Sequence, residues 1–311
     1  MYLAKDFIET AEGLVFAVVE SGLEQEKVLC FLRYILVNDL WQKVDTNQAN
    51  QFLEKNHPHY LYFSPSKQAH CHAVAIDNIF QHHQPREKLQ QLLLIPSENT
   101  VENDLLTLCK IFSKQGFDIS NMGVTGSILI SAQNKNSDID CVFYSRKHFN
   151  QARKIVQELI NTTECSELNT ADWLESYDRR CCDLSYDEYV WHEKRKFNKA
   201  LINNRKFDLS FVIDSEQDTT LKQYKKLQSI KLKVQVTDDK LAYDYPSEYS
   251  INDSEITTIV CYTATYTGQA VKGEWIEVAG QVELATNGEK RIIVGSSREA
   301  KGEYIKVVNE S

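Results

Sequence analysis

The residues best suited to chemistry in this sequence are two aspartates, Asp138 and Asp140, separated by a single isoleucine. Alternate residues of a β-strand project to the same face of a sheet and lie about 6.6 Å apart along it. Two carboxylates on one face repel each other unless a cation lies between them. The spacing therefore predicts a cation site, with Ile139 pointing into the core.

Mg²⁺ is the cation that suits this pair best, with Mn²⁺ as the alternative, because both prefer oxygen ligands. Two such ions about 3.5 to 4 Å apart can stabilise the attacking and leaving oxygens of an in-line phosphoryl displacement. A third carboxylate on a neighbouring strand would complete that geometry, and Asp208 between Phe207 and Leu209 offers one. Asp214, on the same predicted strand, is the competing choice.

A Gly-Ser pair, Gly126 and Ser127, precedes Asp138 by ten intervening residues and opens a predicted short apolar helix over Ile128–Ala132. A turn that enters a helix presents backbone N–H groups and a positive dipole end to phosphate oxygens. Gly126 permits close approach of a phosphate, and Ser127 adds a hydroxyl. The pair therefore predicts a phosphate-binding turn next to the cation site.

In these residues the sequence resembles the DNA polymerase β-like nucleotidyltransferase superfamily, over about residues 100 to 215. The signature of that superfamily is a Gly-Gly or Gly-Ser pair, about nine to thirteen residues, an Asp-hydrophobic-Asp strand and a later single Asp. The resemblance implies that three aspartates bind metal and are catalytic: Asp138, Asp140 and Asp208. It implies a phosphate-contacting role for Gly126 and Ser127. Ser137, just before Asp138, is a further candidate for nucleotide binding.

Within that superfamily the chain is similar to a group of predicted, uncharacterised nucleotidyltransferases that is best represented in archaea. The Ser-Asp-Ile-Asp core and the segment Gly295–Tyr304 carry this likeness. The part of that segment from Gly295 to Gly302 includes Arg298 and Lys301. These two side chains either contact phosphate or belong to a plain hairpin connection, which is the favoured interpretation.

A basic segment from Lys194 to Lys206 supplies the other candidates for nucleotide binding. They are Arg195, Lys196 and Lys199. Residues 194–233 contain eleven basic and four acidic residues, a local charge of +7, so the remainder of a chain with net charge −9 carries −16. The basic side chains either bind a triphosphate or polynucleotide, or cover a solvated helix face.

Nearby, Trp191 and Tyr189 either stack a base or, as we favour, pack in the core.

Composition sets limits on the class of protein. Hydrophobic residues form 42% and charged residues 25% of 311 residues, values typical of folded globular chains. No apolar run approaches the length of about 18 to 20 residues that crosses a bilayer, and the start of the chain lacks the order of a signal peptide. Eight cysteines without a CxxC pair predict reduced, mostly buried thiols. We therefore expect a cytoplasmic protein without a membrane partner.

The order of elements predicts an α+β protein of three domains: a small α+β domain over 1–96, a nucleotidyltransferase domain with a mixed sheet and helices over 97–220, and a β-rich domain over 221–311. The central domain includes a predicted helix over Tyr186–Ala200. Five alternating segments predict the strands of the last domain, 232–236, 256–266, 274–284, 290–294 and 304–308, which could form a small barrel resembling an OB fold.

Histidines are concentrated in the first domain, where six of the eight lie near Cys71. They are His57, His59, His70, His72, His82 and His83. The cluster raises a zinc hypothesis, but its spacing matches neither a CxxC nor an HExxH site. Surface and core roles are the favoured interpretation.

Together these features predict a metal-dependent nucleotidyltransferase that moves a nucleoside monophosphate from an NTP to a hydroxyl and releases pyrophosphate. Asp208 is expected to help deprotonate that hydroxyl. The acceptor is open between RNA, a protein side chain and a small molecule, and the oligomeric state is open as well. The alternative function is a non-catalytic nucleotide sensor or RNA-binding scaffold that retains the fold.

Overall fold

A computed structural model describes residues 1–65, 69–214, 224–296 and 300–309. The chain divides into two compact units, the first formed by Met1–Ser166 and Ala200–Thr219, the second by Glu167–Lys199 and Thr220–Ser311. The first unit contains two sheets and the second contains one. The domain boundaries at residues 96 and 220 stay a prediction.

Across the ranges that the structure describes, no helix combines the length and the apolar character that crossing a membrane requires.

A largely antiparallel sheet of seven strands opens the first unit. The strands are β1 (Phe7–Thr10), β2 (Leu14–Val18), β3 (Lys27–Val37), β4 (Leu40–Lys43), β5 (Leu61–Ser64), β6 (Ala69–Ala75) and β7 (Ile79–His83). Their order is β5-β6-β3-β2-β1-β7, and β4 pairs with β3. Helix α1 (Thr46–Asn56) begins at a capping box between Asp45 and Gln48 and buries Ala49 and Leu53 in the core of this sheet.

A second sheet, of four strands, completes the first unit. Its elements are α2 (Pro85–Leu94), α3 (Thr100–Lys114), β8 (Met122–Thr125), β9 (Ile139–Phe143), α4 (Arg146–Asn161), β10 (Lys199–Ile202) and β11 (Arg205–Phe211). The strand order is β10-β11-β9-β8, with β9 parallel to β11 and antiparallel to β8. Parallel neighbours need a crossover, and α4 follows β9 with one apolar face buried. The sheet is therefore mixed, as the sequence predicts.

The β10–β11 connection consists of two residues in the left-handed conformation, Asn203 (φ 50°) and Asn204 (φ 63°). Asparagine tolerates positive φ better than most residues, and two such residues favour a tight hairpin with the right twist. This hairpin joins β10 to β11, the strand that carries Asp208.

The second unit contains two helices and a six-stranded sheet. Its elements are α5 (Thr170–Arg180), α6 (Tyr186–Lys194), β12 (Tyr224–Asp238), β13 (Ser247–Ile251), β14 (Ile256–Cys261), β15 (Trp275–Ala285), β16 (Lys290–Val294) and β17 (Tyr304–Val308). The order is β12-β13-β14-β16-β15-β17, and the long strand β12 also pairs with β15. Because β12 pairs with both β13 and β15, the pairings of the described strands form a closed circuit. Within this circuit β14 and β16 are parallel and the other neighbours are antiparallel.

The helix predicted over Tyr186–Ala200 is wrong beyond Lys194, because α6 ends there and Lys199 begins a strand. Phe197 adopts a left-handed conformation, with φ 50°, which a helix does not accommodate. The strand β13 is absent from the predicted set. It buries Ser247 beside Tyr249 and Ile251, so the apolar alternation that signals a strand is weak there.

All eight cysteines are free and five are buried, which agrees with the prediction of reduced, mostly buried thiols. Burial raises the pKa of Cys109 and of Cys261 to about 12, so these thiols stay protonated at neutral pH.

Each unit contains a buried histidine that accepts a hydrogen bond from a backbone amide. In the first unit, Nδ1 of His72 accepts from the N–H of Leu32 at 2.9 Å. In the second unit, Nε2 of His192 accepts from the N–H of Val307 at 3.0 Å. Burial lowers the pKa of both imidazoles to about 4. Both rings are therefore neutral acceptors at pH 7.

We expect the two histidines to make the protein less stable as the pH falls from about 6.5 to 4. In that window the unfolded chain binds protons at both rings and the folded chain does not, so each ring costs about 2 kcal/mol of the free energy of unfolding by pH 4.5. Titration of the imidazole C2 proton signals by NMR measures the pKa of each ring in the folded protein, on which this loss of stability depends. Titration of either ring near pH 6.5 in the folded protein would contradict the prediction.

Candidate active site

The parallel pairing of β9 with β11 places Asp140 and Asp208 opposite each other. Partners in register on adjacent strands project to the same face, with Cα atoms about 4.8 Å apart. Asp138 immediately precedes β9, two residues before Asp140, and is exposed. On the opposite face, Ile139 and Phe207 are fully buried. The structure thus brings two of the three predicted ligands together and places the third at the end of the same strand.

The charge of this face reaches the buried side of the sheet at Cys141. Its pKa lies well above the usual range, chiefly because the thiol is buried, with further contributions from Cys109 and from the carboxylates of Asp140 and Asp208. The negative charges of Asp140 and Asp208 thus oppose ionisation of the Cys141 thiol.

Gly126 lies directly against the carboxylate of Asp140. The antiparallel pairing of β8 with β9 puts Thr125 opposite Asp140, and the chain then turns at Gly126 with φ 69°. A Cβ atom at Gly126 would collide with Oδ2 of Asp140 and lie 3.2 Å from its Cγ. Both the left-handed backbone and the close approach therefore require glycine here.

The helix predicted over Ile128–Ala132 is instead a 3₁₀ turn that begins at Gly126 and ends at Ile130. Ser131 then has φ 56° and its N–H bonds the carbonyl of Ile128, which stops the turn. Ser127 is half-buried in the first residues of this turn. The Gly-Ser pair therefore leads directly from the strand into the turn.

The N-terminal sheet supports this turn, a role that the sequence does not indicate. Leu129 and Ile130 pack in one buried cluster with Phe7, Val15 and Tyr34. Burial raises the pKa of Tyr34, and among nearby charges Asp140 raises it further. Tyr34 thus packs against the turn from the N-terminal sheet, a structural role that the sequence does not reveal.

A second link fixes the end of β8. The hydroxyl of Thr125 donates a hydrogen bond to the carbonyl of Lys5 at 2.6 Å. Thr125 is buried and Lys5 lies in the segment before β1. The chain start is thus bonded to the strand end from which the Gly-Ser turn departs.

Arg205 holds the loop that carries Asp138. Its Nη1 donates hydrogen bonds to the carbonyls of Ser137, at 2.7 Å, and Lys135, at 3.0 Å. Its Nε donates to the carboxylate of Asp104 on α3 at 2.7 Å. In the sequence, Arg205 is one of the eleven basic residues of the strongly basic stretch 194–233, called the basic strip below. Its position at the start of the strand that carries Asp208 is the signal that distinguishes it from the others.

Ser137, predicted to bind nucleotide, has a local role in that loop. Its Oγ accepts a hydrogen bond from the N–H of Asn134 at 3.0 Å, and its own N–H donates to the Asn134 carbonyl at 2.9 Å. These bonds close a tight turn just before Asp138. The side chain therefore shapes the approach to the aspartates, and its nucleotide-binding role stays a prediction.

Asp214, the competing third aspartate, follows β11 instead of lying within it. Its carboxylate pairs with the guanidinium of Arg86 at 2.7 Å, and that guanidinium lies 3.7 Å from the ring centre of Tyr144. The register with Asp140 therefore favours Asp208 over Asp214.

The three basic candidates belong to the second unit and have acidic partners there. Lys196 is buried and pairs with Glu193 at 2.5 Å, Lys199 pairs with the same carboxylate, and Arg195 pairs with Glu274. Burial opposes ionisation of Glu193, but the two lysines lower its pKa to about 2. These charges form internal ion pairs, and their role in nucleotide binding stays a prediction.

The two aromatic candidates of α6 differ in environment. Tyr189 is buried and its hydroxyl bonds Ser176 at 2.7 Å, the core role that the sequence favours. Trp191 is 51% exposed, and the guanidinium of Arg195 lies 4.5 Å from its ring centre.

The loop at Gly295 is only partly described, because Arg298 lies outside the described residues. Its start is fixed by Glu303, whose carboxylate accepts hydrogen bonds from the N–H groups of Gly295 and Ser296 at 2.8 and 2.9 Å. An acid therefore occupies the backbone donors that a phosphate would need. The hairpin interpretation is wrong, because β16 and β17 are not neighbours and each of them pairs with β15.

Several histidines of the N-terminal domain have partners of their own. His82 pairs with Asp6 at 2.8 Å and His83 pairs with Glu9 at 2.9 Å. With His72 in the core, these contacts agree with the surface and core roles that the sequence favours.

Comparison with known proteins shows which family the residues of this site belong to. A model of the family described as "Nucleotidyltransferase domain" matches residues 106–241, which include Asp138, Asp140, Asp208 and the Gly-Ser turn. The chain is 34% identical to the uncharacterized protein MJ1086 of Methanocaldococcus jannaschii, over 97% of this chain and 98% of that protein. No solved structure matches the chain. Residues 106–241 therefore form a nucleotidyltransferase domain, and the whole chain belongs to the same family as MJ1086.

Proposed function

We propose that this chain is a Mg²⁺-dependent nucleotidyltransferase that transfers a nucleoside monophosphate from an NTP to a hydroxyl group. The observation that carries the proposal is the register of Asp140 with Asp208, with Gly126 against the Asp140 carboxylate. Carboxylate oxygens are the donor set that Mg²⁺ prefers, so these residues fit the ion. Mn²⁺ is the alternative ion, and ATP is one of the nucleotides to be tested.

In this proposal Asp138 and Asp140 would hold both ions and Asp208 would hold one of them. Ions bound there would supply positive charge to the triphosphate and to the attacking and leaving oxygens. Asp208 accepts the proton of the acceptor hydroxyl while the oxygen of that hydroxyl bonds to the α-phosphorus. The bond from the α-phosphorus to the bridging oxygen breaks, and pyrophosphate leaves. Gly126 and Ser127 orient the phosphates through their N–H groups and the Ser127 hydroxyl.

RNA is the acceptor that we propose to test first. It is supported by the strand pairing of the second unit, whose circuit with one parallel pair resembles that of an OB fold, an oligonucleotide-binding architecture. The ion pairs argue against RNA, because Lys194, Arg195 and Lys231 each have an acidic partner that offsets the positive charge. A steep loss of binding with added salt would favour RNA, whereas a flat response would favour a small acceptor.

The direct test supplies each NTP, labelled at the α-phosphorus, with Mg²⁺ and candidate acceptors, and measures label transfer together with pyrophosphate release. The proposal expects at least one NTP to give both products and a chelator to stop both. Label transfer that continues in the presence of the chelator would refute the metal requirement.

A second candidate function is a nucleotide sensor without turnover. The internal pairing of Lys196 and Lys199 with Glu193 favours it, because a catalytic site normally directs such cations at the triphosphate. For a sensor, NTP with Mg²⁺ raises the melting temperature, yet no pyrophosphate appears.

Arg205→Lys is expected to lower kcat by roughly ten- to a hundredfold with little change in KM for NTP, because one ammonium cannot replace a guanidinium that joins two carbonyls to a carboxylate. Since the loop before Asp138 loosens, the Mg²⁺ concentration for half-maximal activity should rise. The measurement is steady-state kinetics over a Mg²⁺ series. Arg153→Lys on α4 is the matched control, and an Arg205→Lys enzyme with an unaltered Mg²⁺ requirement would show that Arg205 does not position Asp138.

A further inference from the structure

We propose that the N-terminal sheet carries a second metal site, formed by Glu12, His57 and His59, that binds a transition ion of the Zn²⁺ class. One ligand atom from each of the three side chains lies within 4.8 Å of the other two. Glu12 and His59 are exposed and His57 is half-buried, so an ion can reach all three. Nothing in the proposed transferase mechanism uses these residues.

Local structure brings the three residues together from two distant parts of the sequence. Glu12 lies in the turn between β1 and β2, which Gly13 completes with φ 73°. His57 caps the end of α1, its N–H bonded to the carbonyl of Leu53 at 2.8 Å. Pro58 then starts a 3₁₀ turn, Pro58–Tyr60, that includes His59. The spacing of His57 and His59 alone does not reveal the site, because the carboxylate comes from elsewhere.

Tyr60 connects the site to the core and orients Glu12. Its side chain is 1% exposed, and its ring centre lies 5.1 Å from that of Phe16. Its hydroxyl lies 3.2 and 3.3 Å from the two carboxylate oxygens of Glu12 and donates to them. Metal-binding carboxylates are commonly held by such an outer hydrogen bond. The carboxylate of Glu12 is therefore already directed towards the two imidazoles.

The donor set determines the class of ion. Two imidazole nitrogens and one carboxylate oxygen suit Zn²⁺ and related ions, whereas Mg²⁺ prefers an all-oxygen set. In a tetrahedral site with bonds of about 2.0 to 2.1 Å the ligand atoms lie about 3.4 Å apart, so the three groups must approach by up to about 1.4 Å. Rotation of the exposed side chains of Glu12 and His59 can supply this movement. The fourth position is left to water, and the ion would join the β1–β2 turn to the end of α1.

The test is the binding of Zn²⁺ to the full chain after metal removal, measured by calorimetry without nucleotide. We expect about one Zn²⁺ per chain at this site, an affinity at least a hundredfold lower in His57→Gln/His59→Gln, and a raised melting temperature only in the chain that binds. Co²⁺ should give the visible absorption of a tetrahedral ion in the unsubstituted chain and lose it in the double variant.

Two matched controls separate this site from others. His70→Gln, a change of an exposed histidine in the same sheet, should leave Zn²⁺ binding unchanged. Asp140→Asn should also leave it unchanged, so failure of the transferase proposal does not affect this one. Should the double variant misfold, as judged by circular dichroism, Glu12→Gln serves in its place with an expected loss of about tenfold. If a folded site variant, either His57→Gln/His59→Gln or Glu12→Gln, binds Zn²⁺ as tightly as the unsubstituted chain, the proposal is overturned.

Discussion

Asp140→Asn is expected to reduce label transfer by roughly a thousandfold or more, a loss of about 4 kcal/mol of transition-state stabilisation. Asp140 lies in register with Asp208 and against Gly126, so its carboxylate is at the centre of the predicted metal site. Asparagine keeps the shape of the side chain and removes the charge that two metal ions would share. The measurement is kcat with saturating Mg²⁺ and NTP.

The control for this prediction is Asp77→Asn, which removes the same charge from an exposed position in the 3₁₀ turn Ile76–Asn78 between β6 and β7. Both variants should unfold close to the temperature of the unsubstituted protein, since a surface change of this kind alters stability by about 0.5 kcal/mol or less and Asp140 is only half-buried. Transfer by Asp140→Asn at more than a tenth of the original rate would contradict the proposed role.

Gly126→Ala is expected to lower kcat about a hundredfold and to destabilise the fold by roughly 2 to 3 kcal/mol. The left-handed backbone at φ 69° costs alanine about 1 to 2 kcal/mol. The added Cβ also collides with Oδ2 of Asp140, so the carboxylate must move. A displacement of about 1 Å at a reacting centre is enough for a hundredfold loss of rate. Steady-state kinetics and chemical denaturation measure the two effects.

Gly116→Ala separates backbone strain from the collision. Gly116 has φ 76°, close to that of Gly126, but an added Cβ would meet nothing within 4 Å. This variant should lose about 1 to 2 kcal/mol of stability and keep its activity within twofold. Equal losses of activity in both variants would show that strain, and not displacement of Asp140, accounts for the effect.

The strands that carry the three aspartates were predictable from the sequence because they obey local rules. Asp138, Ile139 and Asp140 alternate as a strand does, and Asp208 lies between two apolar residues that point inwards. Their relative register was not predictable, since it depends on the pairing of β9 with β11 across a crossover of more than sixty residues. The prediction of a mixed sheet followed from element order alone.

The basic strip shows where charge counting in the sequence fails. Residues 194–233 are strongly basic as a linear segment, yet Glu274, Glu277 and Asp104 come from distant parts of the chain to pair with Arg195, Lys231 and Arg205. Only the fold reveals such compensation. The packing of Tyr34 against Leu129 and Ile130 was hidden for the same reason, because Tyr34 lies in another sheet.

The most direct test of the account is a crystal structure of the chain with Mn²⁺ and a non-hydrolysable NTP analogue, with the ions located by anomalous scattering. The account predicts manganese bound by carboxylate oxygens of Asp138, Asp140 and Asp208, with the triphosphate beside Gly126 and Ser127. Manganese and nucleotide bound elsewhere on the chain, with these three carboxylates holding no ion, would contradict it.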